Sequence, residues 1–211
     1  QLGCVWKLEK LCRNKALKAA VEKPENVKLF LNVDGNIIQD KAFIQGFTNR
    51  KAAKAGVPSC DIVFEITERS DIENYQILQQ IMKHYADQGY EIALDDVGAG
   101  HSGLNRVVNT TPDYLKADIE LVRDIYKYKK KEIMMKLLLD YCNATGAILI
   151  AEGIETAQEL ECLHSLGVHY GQGFFLGKPE RAFGNISAES EEILERLNGR
   201  KNILFLDISG K

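Results

Sequence analysis

Seven residues of the chain carry types and spacings suited to hydrolytic chemistry: Asn32, Glu65, Asp95, Asp96, Lys116, Glu152 and Gln172. Besides Glu152, three of them are carboxylates, Glu65, Asp95 and Asp96. With the amide oxygen of Asn32 they form a set of hard oxygen donors suited to Mg2+ or Mn2+ rather than zinc. The adjacent pair, with Asp95 pointing in and Asp96 on the rim, could bridge two ions. Two ions held this way would activate a water and stabilise the leaving oxygen of an in-line displacement at phosphorus. Lys116 offers a compact positive charge to a phosphate or an attacking hydroxide. Glu152 is suited to holding a metal-bound water or acting as general base. Gly98 and Gly100, just behind the aspartates, permit a tight loop that can close over the site. Taken singly, each acid reads as a helix cap or a solvated strand end, and Lys116 as a barrel-interior lysine paired to a carboxylate. Their joint placement on successive elements is what marks a site.

Those elements are short apolar, β-rich runs: LFLNV (29–33), DIVFEI (61–66), EIALDDV (91–97), YLKADI (114–119), AILIAEGI (147–154) and HYGQGFF (169–175). Each ends at or near one or two of the polar residues. Between most of them lie stretches with helical periodicity. Ser70 and Thr156 stand three residues before Glu73 and Glu159, a capping-box signature of a helix start. Ile133, Met134, Leu137, Leu138 and Tyr141 form one apolar stripe along 131–141. A helix over about 5–21 precedes the first strand, with Trp6 in its core packing and Glu9 within it. Strand and helix alternating six times without a halfway break predicts an α/β fold, a modified TIM-type (β/α) barrel with its polar groups on the C-terminal rim. A complete eight-stranded barrel typically takes about 250 residues. At 211 residues, and beginning at Gln1, the barrel is expected to be N-terminally incomplete.

Composition narrows the class. With 45% hydrophobic and 27% charged residues, the chain is globular rather than disordered or fibrous. No apolar run approaches the roughly 20 residues of a membrane span, and no signal peptide opens the chain. A net charge of −3 argues against a general nucleic-acid binder, so neither DNA nor membrane contact is expected. Five cysteines without a CxxC pair read as reduced thiols of a cytoplasmic protein. His84, His101, His164 and His169 lack metal-ligand spacing, and the basic run 127–131 with Tyr126 and Tyr128 reads as a solvated helix start.

The runs LNV (31–33), EITE (65–68), ALDDVGAGHSGL (93–104), YLKAD (114–118), AEGIET (151–156) and GQGFFLGKP (171–179) resemble the EAL-domain family, in order and at compatible spacing. Those proteins are bacterial phosphodiesterases that hydrolyse cyclic di-GMP to linear pGpG with Mg2+ or Mn2+ on a modified TIM barrel. The resemblance implies that Asn32, Glu65 and Asp95 are ligands of a first metal, and that Asp95 with Asp96 hold a second. It implies that Lys116 contacts the catalytic water and that Glu152 and Gln172 complete the second metal's water network. Glu68 would anchor the loop after the aspartates, and Glu155 would line the substrate pocket. A homodimer and a regulatory domain in the parent protein are the partners it implies.

Two departures from the family pattern bear on activity. The Glu-Ala-Leu motif, whose glutamate is a metal ligand, does not occur in this sequence. The family usually has Phe, Thr and Tyr where this chain has Val97, Ala99 and His101. The expected domain is residues 1–185. Residues 186–211, with a helix-like SEEILERLNG (189–198) and a strand-like NILFLDI (202–208), are expected to form an extension or the start of a linker or next domain. Without the segment ahead of the first helix, the open sheet is expected to be poorly stable alone or dimeric. The function expected is metal-dependent hydrolysis of cyclic di-GMP. The alternative is a degenerate EAL domain that binds cyclic di-GMP or a protein partner without hydrolysing it.

Overall fold

Along every strand of this protein the side chains alternate between two environments, because successive residues of a strand point to opposite faces. In the computed structural model, which describes residues 5–34, 37, 40–67, 75–98, 103–180 and 184–198, both environments are filled. One set, including Leu29, Leu31, Ile62, Phe64, Ile92, Leu94, Leu115 and Leu149, lies in the large core beneath the helices. The other set, Phe30, Val63, Ala93, Tyr114 and Ile150, forms a separate apolar cluster, joined by Ile148 and Tyr170. This second cluster is the interior layer of a curved sheet, and one step further along the same faces come Asn32, Glu65, Asp95, Lys116, Glu152 and Gln172. The polar rim is therefore the continuation of the interior register.

Six strands make one parallel sheet in chain order: β1 (Leu29–Val33), β2 (Ile62–Thr67), β3 (Glu91–Val97), β4 (Tyr114–Ala117), β5 (Ile148–Ala151) and β6 (Tyr170–Gly171). Among the described residues, β1 and β6 are the two edges and do not pair with each other. The helices are α1 (Val5–Ala19), α2 (Phe47–Ala55), α3 (Tyr75–Ala86), α4 (Gly103–Asn109), α5 (Ile119–Val122), α6 (Lys129–Thr145), α7 (Ala157–Leu166) and α8 (Ala188–Asn198). They cover the outer face, as a parallel α/β sheet requires. No helix among the described residues is long and apolar enough to cross a membrane.

Among the described residues, sequence and structure agree on the existence of the six strands and differ in detail. The capping box at Thr156 is present: the Thr156 hydroxyl accepts the Glu159 amide, and the Glu159 carboxylate accepts the Thr156 amide. The matching pair at Ser70 and Glu73, the residue Glu68 and the strand-like run 202–208 lie outside the described residues. Helix α1 ends at Ala19 and tightens into a short 3-10 turn, Ala20–Glu22. β5 and β6 are shorter than their apolar runs, because beyond Ala151 and Gly171 the chains stay linked only through loop hydrogen bonds.

The apolar stripe assigned to α6 needs correction. Ile133, Met134 and Leu137 are exposed, and the buried line is Met135, Leu138, Leu139 and Cys142. Apolar residues run around more than one face of this helix, so periodicity alone does not choose which is buried. Contact with β5 and the turn Ile125–Lys127 decides it. Tyr141, half-buried, donates its hydroxyl to the Val107 carbonyl at 3.0 Å.

Candidate active site

Lys116 is the centre of the rim. It is the third residue of β4, 2% exposed, and its chain rises through the sheet interior above Tyr114. Its ammonium contacts Glu65 on β2, Glu152 just past β5 at 2.5 Å and Asp95 on β3 at 3.4 Å. Burial opposes its charge, but the carboxylates of Glu65, Glu152 and Asp95 outweigh it and raise the pKa well above the ordinary lysine range. Lys116 is thus a fixed cation and hydrogen-bond donor, not a base.

Glu152 behaves oppositely. Burial pushes its carboxyl up, Lys116 pulls it down, and the neighbouring Asp95 pushes it up again, to about 8. A carboxyl poised near neutrality is what general-base or water-holding work requires.

The aspartates pose a geometric problem, since strand alternation should send neighbours to opposite faces. β3 solves it with a bulge. Leu94 pairs with Leu115 and Val97 with Ala117, so β3 spends one residue more than β4 over this interval. Asp96 sits there with φ of +57°, a left-handed conformation that costs a non-glycine residue about 1 kcal/mol or more. The extra residue turns Asp96 back towards the site. Asp95, Asp96 and Glu152 can each offer an oxygen such that all three lie within 4.8 Å of one another.

Two glycines set the other half of the rim. The backbone N–H of Gln172 donates to Ala151 O at 2.8 Å, and its backbone carbonyl accepts Ile154 N–H at 3.0 Å. This seats Gln172 against the loop carrying Glu152 and Glu155. A Cβ on Gly173 would collide with the Ile154 backbone, and one on Gly153, at φ +70°, with the Ile119 side chain. GQGFF needs Gly173 because the two loops touch there backbone to backbone, and AEGIE needs Gly153 for its left-handed backbone and the close approach of Ile119.

Asn32 is exposed on β1 and is the register partner of Glu65. Glu155 is exposed and paired with Arg123 at 2.9 Å. Six of the seven residues picked from the sequence are thus placed on or next to one strand each, and Asp96 joins them through the bulge. Three features were not singled out from the sequence. Phe174 stands 61% exposed two residues past Gln172, Arg123 faces Glu155, and Asp118 is buried two residues past Lys116. Asp118 caps α5 by accepting the Glu120 amide at 2.7 Å. An aromatic directly after the GQG run is the signal that could have drawn attention to Phe174.

The donor set fits a divalent cation. Three carboxylates, Glu65, Asp95 and Glu152, contact the one ammonium, and Asp96 joins Asp95 and Glu152 beside it, so the acidic groups outnumber the single cation. All the donors are oxygen, the preference of Mg2+ and Mn2+.

Comparison with known proteins places this geometry. The sequence model of the EAL domain matches residues 1–179. Cyclic di-GMP phosphodiesterase PdeR of Escherichia coli (strain K12) is 29% identical over 160 residues, covering 75% of this chain and 24% of that protein. Cyclic di-GMP phosphodiesterase PdeB of Shewanella oneidensis is 26% identical over 150 residues, 71% of this chain and 17% of that protein. The chain spans about a quarter or less of these curated relatives. Among solved structures, the c-di-GMP-bound form of a standalone versatile EAL protein from Vibrio cholerae O395 has a TM-score of 0.78 at 26% identity, covering 88% of this chain and 78% of that one. The manganese/cy-diGMP complex of Klebsiella pneumoniae BlrP1 has a TM-score of 0.80 at 28% identity, covering 86% and 47%. With the fold, the rim and the motif order in agreement, this chain belongs to the EAL domain family.

Proposed function

We propose that the protein hydrolyses one phosphodiester of cyclic di-GMP to give linear pGpG, using two divalent ions, Mg2+ or Mn2+. The observation that carries this reading is the oxygen-rich rim around Lys116, where Asp95 faces in by register and Asp96 is turned back into it by the bulge. Divalent ions, when bound, supply the positive charge that makes water nucleophilic near neutral pH. Asn32, Glu65, Asp95 and Asp96 are the residues that would hold them. Lys116 orients the attacking water and offsets charge developing on the phosphate. Glu152, with Gln172 beside it, accepts or relays the proton that water gives up as the P–O3′ bond breaks and the 3′ oxygen gains a proton. Glu155 and Arg123 sit beyond this centre as a pair that can line the substrate pocket, with Glu68 supporting the loop after the aspartates. Phe174 offers an exposed face on which a guanine can stack.

Residues 1–185 act as the unit in this reading, with 186–211 as an extension or the start of a further segment. The setting is the bacterial cytoplasm, with a homodimer and a regulatory domain of the parent protein as partners. The test is incubation of purified protein with cyclic di-GMP and Mn2+, with product separated by chromatography. Appearance of pGpG, abolished by Lys116→Met, supports the enzyme reading. The departures at Val97, Ala99 and His101 favour a second reading, a receptor that binds cyclic di-GMP or a protein without turnover. Nucleotide binding by calorimetry with no product would establish that one instead.

A further inference from the structure

The outer side of β1 holds a polar cluster that the proposed chemistry does not use. Arg13 of α1 is 2% exposed, deep between the helices and the sheet. Its guanidinium donates to Thr48 Oγ1 of α2 at 3.1 Å and to the Tyr85 hydroxyl of α3 at 3.1 Å. The rings of Phe64, Trp6 and Tyr85 surround it at 4.9, 5.4 and 5.7 Å. One turn earlier, Glu9 forms an ion pair with it through Oε2. A buried ion pair of this kind is a poor source of stability, because desolvating both charges rivals their attraction and apolar residues could fill the space.

The second carboxylate oxygen suggests what the pair is for. Glu9 Oε1 accepts the backbone N–H of Asp34 at 2.6 Å. Asp34 follows the last residue of β1, two positions beyond Asn32. Among the described residues β1 is an edge strand, held by a ladder to β2 on one side. The chain of contacts is continuous: three helices and a β2 ring fix Arg13, Arg13 fixes Glu9, and Glu9 fixes the exit of β1.

We propose that Glu9 is a positioning residue that sets Asn32 at the rim, through the Asp34 backbone, for binding of a divalent cation. The inference rests on the reading of Asn32 as an oxygen donor to that cation. It assigns separate tasks to the two oxygens of one carboxylate: Oε2 neutralises Arg13, and Oε1 holds the strand end.

Mn2+ binding, followed by the electron paramagnetic resonance signal of the free ion, and thermal melting separate these tasks in the wild type, Glu9→Ala and Glu9→Gln. Glu9→Ala is expected to weaken Mn2+ binding about tenfold, the usual effect of losing a residue that orients a ligand. Glu9→Gln retains an acceptor for the Asp34 amide and should recover most of that affinity. Its melting temperature should stay low, since Arg13 has lost its counter-charge. Should Glu9→Ala not fold, Glu9→Gln decides alone: a lowered melting temperature with near-normal Mn2+ affinity supports the assignment. Affinity that falls in step with melting temperature in both variants would overturn it, leaving Glu9 a structural residue. Wild-type affinity retained by Glu9→Ala would overturn it while leaving the metal site intact. A wild type that binds no Mn2+ sinks the metal reading and this inference together.

Discussion

Lys116 and the acids around it form a balance that a single substitution should upset in a readable way. Lys116→Met keeps the length of the side chain and removes its charge, leaving Glu65, Glu152 and Asp95 facing one another. Loss of one partner of a buried ion pair costs about 3–5 kcal/mol, so a denaturant titration of the metal-free variant should show a drop of that order, partly returned by Mn2+. Turnover, where the wild type shows it, should fall by about 10²–10³. Glu152 supplies a prediction in pH. Its ordinary value is 4.5 and burial raises it to about 8 in the folded protein. Over that interval the folded state keeps a proton that the unfolded chain releases. The stabilisation is therefore complete below about pH 4.5 and is lost as pH rises through about 8. Metal-free melting temperature should decline across that window, and saturating Mn2+ should flatten the decline by taking the proton's place. Melting scans across the range, with and without Mn2+, check both halves; a metal-free profile that rises with pH would contradict them.

At the scale of elements, the bulge in β3 and the face of α6 show what sequence patterns do and do not convey. The apolar runs located all six strands, because alternation and β-branched content are local properties. They also located the rim, since polar residues at strand ends need no tertiary information. The bulge was not legible: DDV reads as ordinary alternation until the extra residue against β4 is seen. The buried face of α6 was not legible either, as apolar residues flank it on both sides. The contacts of Glu9 were hidden for a related reason, since an acid one turn from an arginine looks like a surface pair. Two predictions belong here. Asp96→Asn tolerates the left-handed backbone and should leave melting nearly unchanged, while Mn2+ affinity falls by about tenfold or more. An unchanged affinity in calorimetry would remove Asp96 from the ligand set. On α6, Leu137→Gln should shift stability by no more than about 0.5 kcal/mol, whereas Leu139→Ala should cost about 2–5 kcal/mol. Denaturant midpoints distinguish the two, and equal effects would mean that Leu137 is covered in solution.

Across the described residues, strand order equals chain order, with β3 and β4 at the centre and β1 and β6 at the margins. Amide exchange should follow that gradient, slowest at Leu94 and Leu115 and faster along β1 and β6. A β1 as protected as β3 would show that its edge is covered in solution. The same ordering bears on synthesis. Domains begin to fold while the ribosome is still extending them from the N-terminus. Glu65, Asp95 and Asp96 lie on β2 and β3, and the lysine that balances them arrives only with β4. A nascent chain that has paired β2 with β3 thus carries uncompensated acids at the mouth of a half-built sheet. Cellular Mg2+ can screen that charge until Lys116 emerges, so a divalent ion of the kind proposed for the finished site would also ease its assembly.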